Sequence, residues 1–147
     1  MTRAKQSEID EATRGMLLAR ARAAAANAYA PYSGFPVGAA LLAADGQIYT
    51  GCNVENASIG LTVCAERSAV SAAVAAGQRE ILAVAVSAPK AAGTTPCGAC
   101  RQVLNEFRPD AAELVVILDD RQGGESVRFT DLLPRGFGPK NLEQVPD

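Results

Sequence analysis

Cys97-Gly98-Ala99-Cys100 sets two thiols three residues apart, a spacing that puts both on one face of a single helical turn. Well upstream, Cys64 is followed by Ala65, Glu66 and Arg67. Both groups fall at the start of segments with helical character. There, free amide hydrogens and the positive end of the helix dipole lower a thiol's pKa. Three thiolates at two facing helix ends make a zinc site, and three protein ligands leave a fourth position for water, as in a catalytic zinc. Glu66 is near enough to that position to move protons without ligating, because zinc brings the pKa of bound water from about 15.7 toward 7. Three thiolates over-neutralise a divalent ion, so positive charge must offset the sulfurs. The helix dipoles supply part of it, and Arg67 is placed to donate to a ligand sulfur.

The remaining composition narrows the chemistry. The chain contains no histidine, which removes Ser–His–Asp and Cys–His catalysis and leaves acid–base work to Glu, Asp, Lys, Tyr or a metal-bound water. Two other arrangements of the four cysteines stay open here. One is a redox pair at Cys97 and Cys100. The other is a closed structural zinc completed by Cys52, in a non-catalytic binding module. Fourteen Lys and Arg against sixteen Asp and Glu give a net charge of −2 and a pI near 5.2. With aromatics at 5%, the chain has neither the basic excess nor the stacking surface of a nucleic-acid binder. No apolar run reaches the roughly 18 residues of a membrane span, and the charged start is unlike a signal peptide. These features predict a cytoplasmic protein with no membrane partner, and its reduced cysteines suit metal binding better than disulfides.

With 147 residues, 48% of them hydrophobic, the sequence predicts one domain over 1–147 with a sizeable core. Ser7, Glu8 and Asp10 look like a helix start. Ile9, Ala12, Met16, Ala19, Ala23 and Ala26 then recur at helical spacing to about residue 28. Pro31 and Pro36 break the helix, and residues 37–42 and 47–53 read as strands joined by the hairpin signal Asp45-Gly46. A helix over 64–76 stops at Gly77, and 81–88 reads as a buried strand. Thr95-Pro96 looks like the N-cap and first residue of a helix over 97–107. Residues 114–118 and 127–129 are strand candidates, 130–133 a brief helix, and the rest a Pro- and Gly-containing tail. The order helix, hairpin, helix, strand, helix, strand implies an α/β fold, a three-layer α/β/α sandwich around a mixed sheet of about five strands.

Cys64-Ala65-Glu66 followed by Pro96-Cys97-Gly98-Ala99-Cys100 resembles the signature of the zinc-dependent nucleoside and nucleotide deaminases. The first ligand is Cys instead of His, as in the small cytidine deaminases. Ala30-Pro31-Tyr32-Ser33, the segment 35–41, Gly51-Cys52-Asn53-Val54-Glu55-Asn56-Ala57 and Leu132-Leu133-Pro134 are similar to that family too, so the likeness spans most of the chain. The resemblance implies a cytidine deaminase-like fold and a hydrolase that converts cytidine and deoxycytidine to uridine and deoxyuridine plus ammonia, in pyrimidine salvage. It implies one zinc per subunit on Cys64, Cys97 and Cys100, with Glu66 passing protons to N3 of the base and then to the departing ammonia. Asn53 and Glu55 would hold the sugar's 3′-hydroxyl, Phe35 would pack on the pyrimidine, and Ala65 would offer backbone groups to the base. Phe137 would reach into a neighbouring pocket of a homotetramer. Ile59 stands where many relatives carry an aromatic. A deaminase of a modified cytosine nucleoside, such as blasticidin S, shares the zinc signatures, but Asn53-x-Glu55-Asn56 favours the plain nucleoside.

Overall fold

A computed structural model describes residues 9–143. Helix α1 spans Glu11–Ala25 and is capped by Asp10, whose carboxylate accepts from the backbone N–H of Thr13 at 2.7 Å. The cap is therefore Asp10, which the sequence reading placed inside the helix; Ser7 and Glu8 lie outside the described residues. The buried stripe also differs from the expected one. Leu17, Leu18, Ala21 and Ala25 face the core, whereas Met16 is 55% exposed. Two adjacent leucines offer far more apolar area than alanines spaced three and four apart, so they set which face turns inward.

Strands β1 (Gly38–Ala43) and β2 (Ile48–Cys52) form an antiparallel hairpin, as Asp45-Gly46 predicts, with Gly46 at φ 83°. Helix α2 (Ala65–Ala75) follows, then β3 (Ile81–Ser87), α3 (Gly98–Glu106), β4 (Val115–Leu118), β5 (Glu125–Arg128), α4 (Phe129–Leu132) and α5 (Pro139–Leu142). The last helix falls in the Pro- and Gly-containing tail, to which the sequence assigns no element. Strand β5 runs two residues earlier than its candidate, because Phe129, wholly buried, already opens α4. The strands form one mixed sheet in the order β2-β1-β3-β4-β5, with only β3 and β4 parallel.

Residue alternation along the strands sorts the two faces. Ala39, Leu41, Val84, Val86, Val116 and Leu118 pack beneath α2 and α3 with Ala69, Val70, Ala73 and Leu104. Ala40, Ala83, Ala85 and Ile117 meet Leu17, Leu18 and Ala21 of α1 on the other face. Both sheet faces are covered, which explains why the central strands read as continuous apolar runs. The helices approach closely because two strand positions are glycine. A Cβ on Gly38 would sit 2.0 Å from the carbonyl oxygen of Ala21 in α1, and one on Gly51 would sit 2.5 Å from the backbone nitrogen of Ala69 in α2. Since β1 is antiparallel to β2 and β3, and β4 parallel to β3, the carboxyl ends of β2, β3 and β4 share one edge. The chain enters α2 and α3 from that edge, which brings their amino ends together.

Candidate active site

Cys64 is the N-cap of α2 and Cys97 the N-cap of α3, with Cys100 in the first turn of the same helix. Thr95 and Pro96 thus precede α3 instead of capping it. The Sγ atoms of Cys64 and Cys97 are 3.8 Å apart and those of Cys97 and Cys100 3.4 Å; all three lie within 4.8 Å of one another. A tetrahedral zinc with Zn–S bonds of about 2.3 Å needs its sulfurs about 3.8 Å apart, so the trio fits one zinc. Among the described residues this is the one such group, and Cys52, half-buried where β2 ends, is outside it. A closed four-cysteine site is therefore excluded, and a two-cysteine redox pair leaves Cys64 beside Cys97 without a role.

The electrostatics act on Cys97 and Cys100 in opposite directions. Burial works to raise the Cys97 thiol, but the backbone N–H groups of Cys100 and Ala99 and the neighbouring thiols bring it below its ordinary value. Cys100 is pushed the other way by burial and by the nearby Glu66 carboxylate. Arg67 donates from Nη2 to Cys64 Sγ at 3.3 Å and to the carbonyl of Thr62 at 3.4 Å. Its Nε is fully buried with no hydrogen-bond partner, so the guanidinium holds more donor capacity at the thiol cluster than protein acceptors consume.

Glu66, in the first turn of α2, is only 4% exposed. Burial raises its carboxyl above the usual carboxylate range, while a hydrogen bond with the Cys100 thiol and the charge of Arg67 oppose the rise. A shielded carboxyl beside the three thiols, with its pKa moved upward, can both take and return a proton.

A cleft of about 360 Å³ is lined by Tyr32, Ser33, Glu55, Ile59 and Thr62, the last of which also anchors Arg67. Glu55 accepts from the backbone N–H groups of Tyr32 at 2.9 Å and Ser33 at 3.1 Å, and from the Ser33 hydroxyl; these bonds hold its carboxyl below the usual range. Asn53, 8% exposed, accepts from the Val37 N–H at 2.8 Å and donates to the Phe35 carbonyl at 2.9 Å. Both side chains thus brace the 32–37 loop that carries Phe35, a duty the sequence reading did not assign them. Ala65 is wholly buried beside Cys64. Phe137 is 60% exposed and does not line this cleft; its carbonyl accepts from Gln102 Nε2 and Asn105 Nδ2, each at 2.8 Å. Ile59 is 70% exposed.

Tyr32, Ser33 and Thr62 line the cleft without having been singled out individually, although Tyr32 and Ser33 belong to the Ala-Pro-Tyr-Ser run. A larger cleft, of about 440 Å³, has a rim of mixed charge including Arg79, Glu80, Arg108 and Asp110; neither cleft is lined by a thiol, and only the smaller one adjoins the cluster, through Thr62 and Arg67. Among the described residues, no helix is long and apolar enough to cross a membrane.

The chain is similar to cytidine deaminases over most of its length. A cytidine deaminase of Halalkalibacterium halodurans is 45% identical over 130 residues, 88% of this chain and 97% of the relative. One from Sporosarcina psychrophila is 46% identical over 132 residues, covering 89% and 96%. The crystal structure of a cytidine deaminase from Burkholderia pseudomallei superimposes with a TM-score of 0.75 at 48% identity, over 83% of this chain and 97% of that one. The Mycobacterium tuberculosis enzyme gives 0.73 at 43% identity, over 90% and 100%. The family profile described as the cytidine and deoxycytidylate deaminase zinc-binding region matches residues 12–118, a span that holds all three clustered thiols and Glu66, and the chain belongs to that family.

Proposed function

We propose that this chain is a zinc-dependent cytidine deaminase that hydrolyses cytidine and deoxycytidine to uridine and deoxyuridine, releasing ammonia, in pyrimidine salvage. The observation that carries the reading is the set of three thiols within 4.8 Å at two helix starts, with the buried Glu66 carboxyl close enough to Cys100 to perturb it. Cys64, Cys97 and Cys100 hold one zinc per subunit, which when bound supplies the Lewis acidity that activates water. Arg67 and the two helix amino ends balance the thiolate charge. Glu66 takes a proton from the attacking water and delivers it to N3 of the cytosine ring. As oxygen adds at C4, the ring loses aromaticity; Glu66 then returns a second proton to the exocyclic nitrogen, the C4–N bond breaks and ammonia leaves. One water is consumed for each ammonia released.

Phe35 packs on the base, Ala65 presents backbone groups to its polar edge, and Asn53 and Glu55 address the ribose hydroxyls with the valences that bracing leaves free. The Asn53 amide retains one N–H and a lone pair beyond its two backbone bonds. The active form is a homotetramer in which Phe137 enters a neighbouring site. Its exposure supports this, as does that of Tyr29, Tyr32, Val54, Leu61 and Val63, since exposed apolar residues in such number suit an interface. A cytoplasmic location fits this reading, and cysteines that are unpaired in the structure support it. Ammonia release from cytidine, deoxycytidine, cytosine, dCMP and blasticidin S tests the assignment. Turnover of the two nucleosides alone is the expected result, and no turnover of either nucleoside by zinc-loaded protein refutes it.

A further inference from the structure

Of the three thiols, Cys97 is the one on an exposed residue, and it stands outside the regular backbone of α3, at the N-cap. Its position is set by the peptide that joins it to Pro96. Pro96 is buried, and its carbonyl oxygen is the handle by which the protein can hold that peptide from the Pro96 side. One side chain holds it. Arg101, half-buried on α3, turns back toward the start of its own helix and donates from Nε to the Pro96 carbonyl at 2.8 Å. Its Nη2 donates to the Thr95 hydroxyl at 3.2 Å. Its Nη1 reaches away from the metal loop to the Leu132 carbonyl at 2.8 Å, where α4 ends.

We infer that Arg101 is a positioning residue for the zinc centre: by fixing the Pro96 carbonyl against Leu132 it locks the Cys97 backbone at the angle that closes the thiol triangle. It works differently from Arg67, which touches a ligand sulfur directly and sets charge. Arg101 acts only through the backbone, so what it governs is where the Cys97 sulfur stands. A planar guanidinium is needed, because three acceptors on three different residues must be met at once by a fork of fixed angles. A lysine ammonium, a point charge on a flexible stem, satisfies one or two of them. The second consequence is linkage. The Leu132 end of the clamp belongs to the segment that continues to Phe137, whose carbonyl is held by Gln102 and Asn105 on the same helix. Helix α3 therefore carries two metal ligands at its start and, along the next turn, the donors that fasten the C-terminal segment.

The inference rests on the zinc reading and is tested on the purified, zinc-loaded protein. Zinc transfer to a chromophoric chelator gives the affinity, and melting is followed with and without added zinc. Outer contacts of this kind typically govern metal affinity by about 10–100-fold. Arg101→Ala is expected to lower zinc affinity within that range and to shrink the rise in Tm that zinc produces, since that rise reflects differential binding to the folded state. Arg101→Lys is expected to fall between the alanine variant and the wild type. If Arg101→Ala does not fold, the lysine variant alone decides. A merely structural role would lower the Tm of zinc-free and zinc-loaded protein alike and leave the zinc-induced rise and the affinity unchanged, and that result in either variant overturns the inference. Wild-type protein that retains no zinc refutes the metal reading instead, and the two failures are thereby distinct.

Discussion

Gly51 and Gly38 provide a matched pair of perturbations on opposite faces of the sheet. A Cβ at Gly51 would lie 2.5 Å from the nitrogen of Ala69, 2.6 Å from the carbonyl oxygen of Ala65 and 2.8 Å from Ser68 Cβ. Two of these atoms are α2 backbone and cannot swing aside. Ordinary contact begins near 3.4 Å, so Gly51→Ala must displace the first turns of α2 by about 1 Å. Overpacking of that kind costs about 1–3 kcal/mol, equivalent to a Tm loss of roughly 3–12 °C in a domain of this size. The displaced turn carries Cys64 and Glu66, and a 1 Å error in catalytic geometry costs about 100-fold in rate. Gly38→Ala collides at least as hard, 2.0 Å from the Ala21 carbonyl and 2.4 Å from the Ala25 nitrogen, but it drives α1 off the face that holds no thiol. The expected result is a comparable loss of Tm in both variants with a large fall in kcat only for Gly51→Ala, measured on folded protein as ammonia release with zinc content checked. Equal kcat in the two variants, or a Gly51→Ala protein that matches the wild type in both Tm and rate, would refute the argument that this contact seats the catalytic turn.

Three further outcomes follow from the same geometry. Glu66→Gln keeps the size and burial of the side chain but removes its proton-carrying capacity, so kcat is expected to fall by about 100- to 10,000-fold with zinc content intact; loss of metal in step with activity would mean that Glu66 is structural. Asn53→Ala leaves the Val37 N–H and the Phe35 carbonyl without their partner, and is expected to cost about 2–3 kcal/mol by thermal or urea unfolding and to raise KM through the loosened loop; unchanged stability would contradict the bracing role. Asp119, bonded by Arg22 at 2.8 Å through two nitrogens, by the Ser87 hydroxyl at 2.8 Å and by the Arg121 N–H at 3.1 Å, has its carboxyl held far below the usual range, chiefly by Arg22. A carboxyl depressed in the folded state stabilises fully above its unfolded pKa of about 3.9 and loses that contribution as pH falls toward the folded value. The Tm gap between wild type and Asp119→Asn is therefore expected to be widest above about pH 5 and to narrow below pH 4; a gap constant with pH would remove the ion-pair explanation.

The thiol cluster was legible in the sequence because it depends on three cysteines at two helix starts, and helix starts are marked locally. Gly77 and the hairpin at Asp45-Gly46 were legible for the same reason. Two classes of feature were not. The face that α1 buries depends on which residues meet the alanines of β1 and β3, a tertiary matter on which an alanine-rich helix gives a weak periodic signal. The limits of β5 and α4 depend on Phe129 dropping into the core from one side of a short strand, and four-residue elements offer too few positions for a period to show. In the site, the double duty of Asn53 and Glu55 was hidden because their partners, Phe35, Val37, Tyr32 and Ser33, belong to a loop from the other side of the β1–β2 hairpin. Arg101 did leave a signal, a bulky cation directly after a Cys-x-x-Cys turn, but its meaning appears only when the chain folds back on Pro96.

The arrangement of charge explains why a chain with no histidine can still carry this chemistry. Imidazole ligands would leave a divalent zinc strongly electrophilic, whereas three thiolates over-neutralise it and blunt its Lewis acidity. The structure counters that in two ways that do not depend on ligand identity. Amide groups at the start of α3 bring down the Cys97 thiol, and Arg67 donates directly to Cys64. Each pulls electron density away from sulfur, so the sulfurs give less of it to the metal. Arg67→Ala separates this electrostatic role from mere packing. If it acts by drawing charge off Cys64, its loss lowers kcat while bound zinc is retained, and Arg67→Lys recovers only part of the rate. If it only fills space between Thr62 and Cys64, Arg67→Met restores the rate in full, and the charge argument fails.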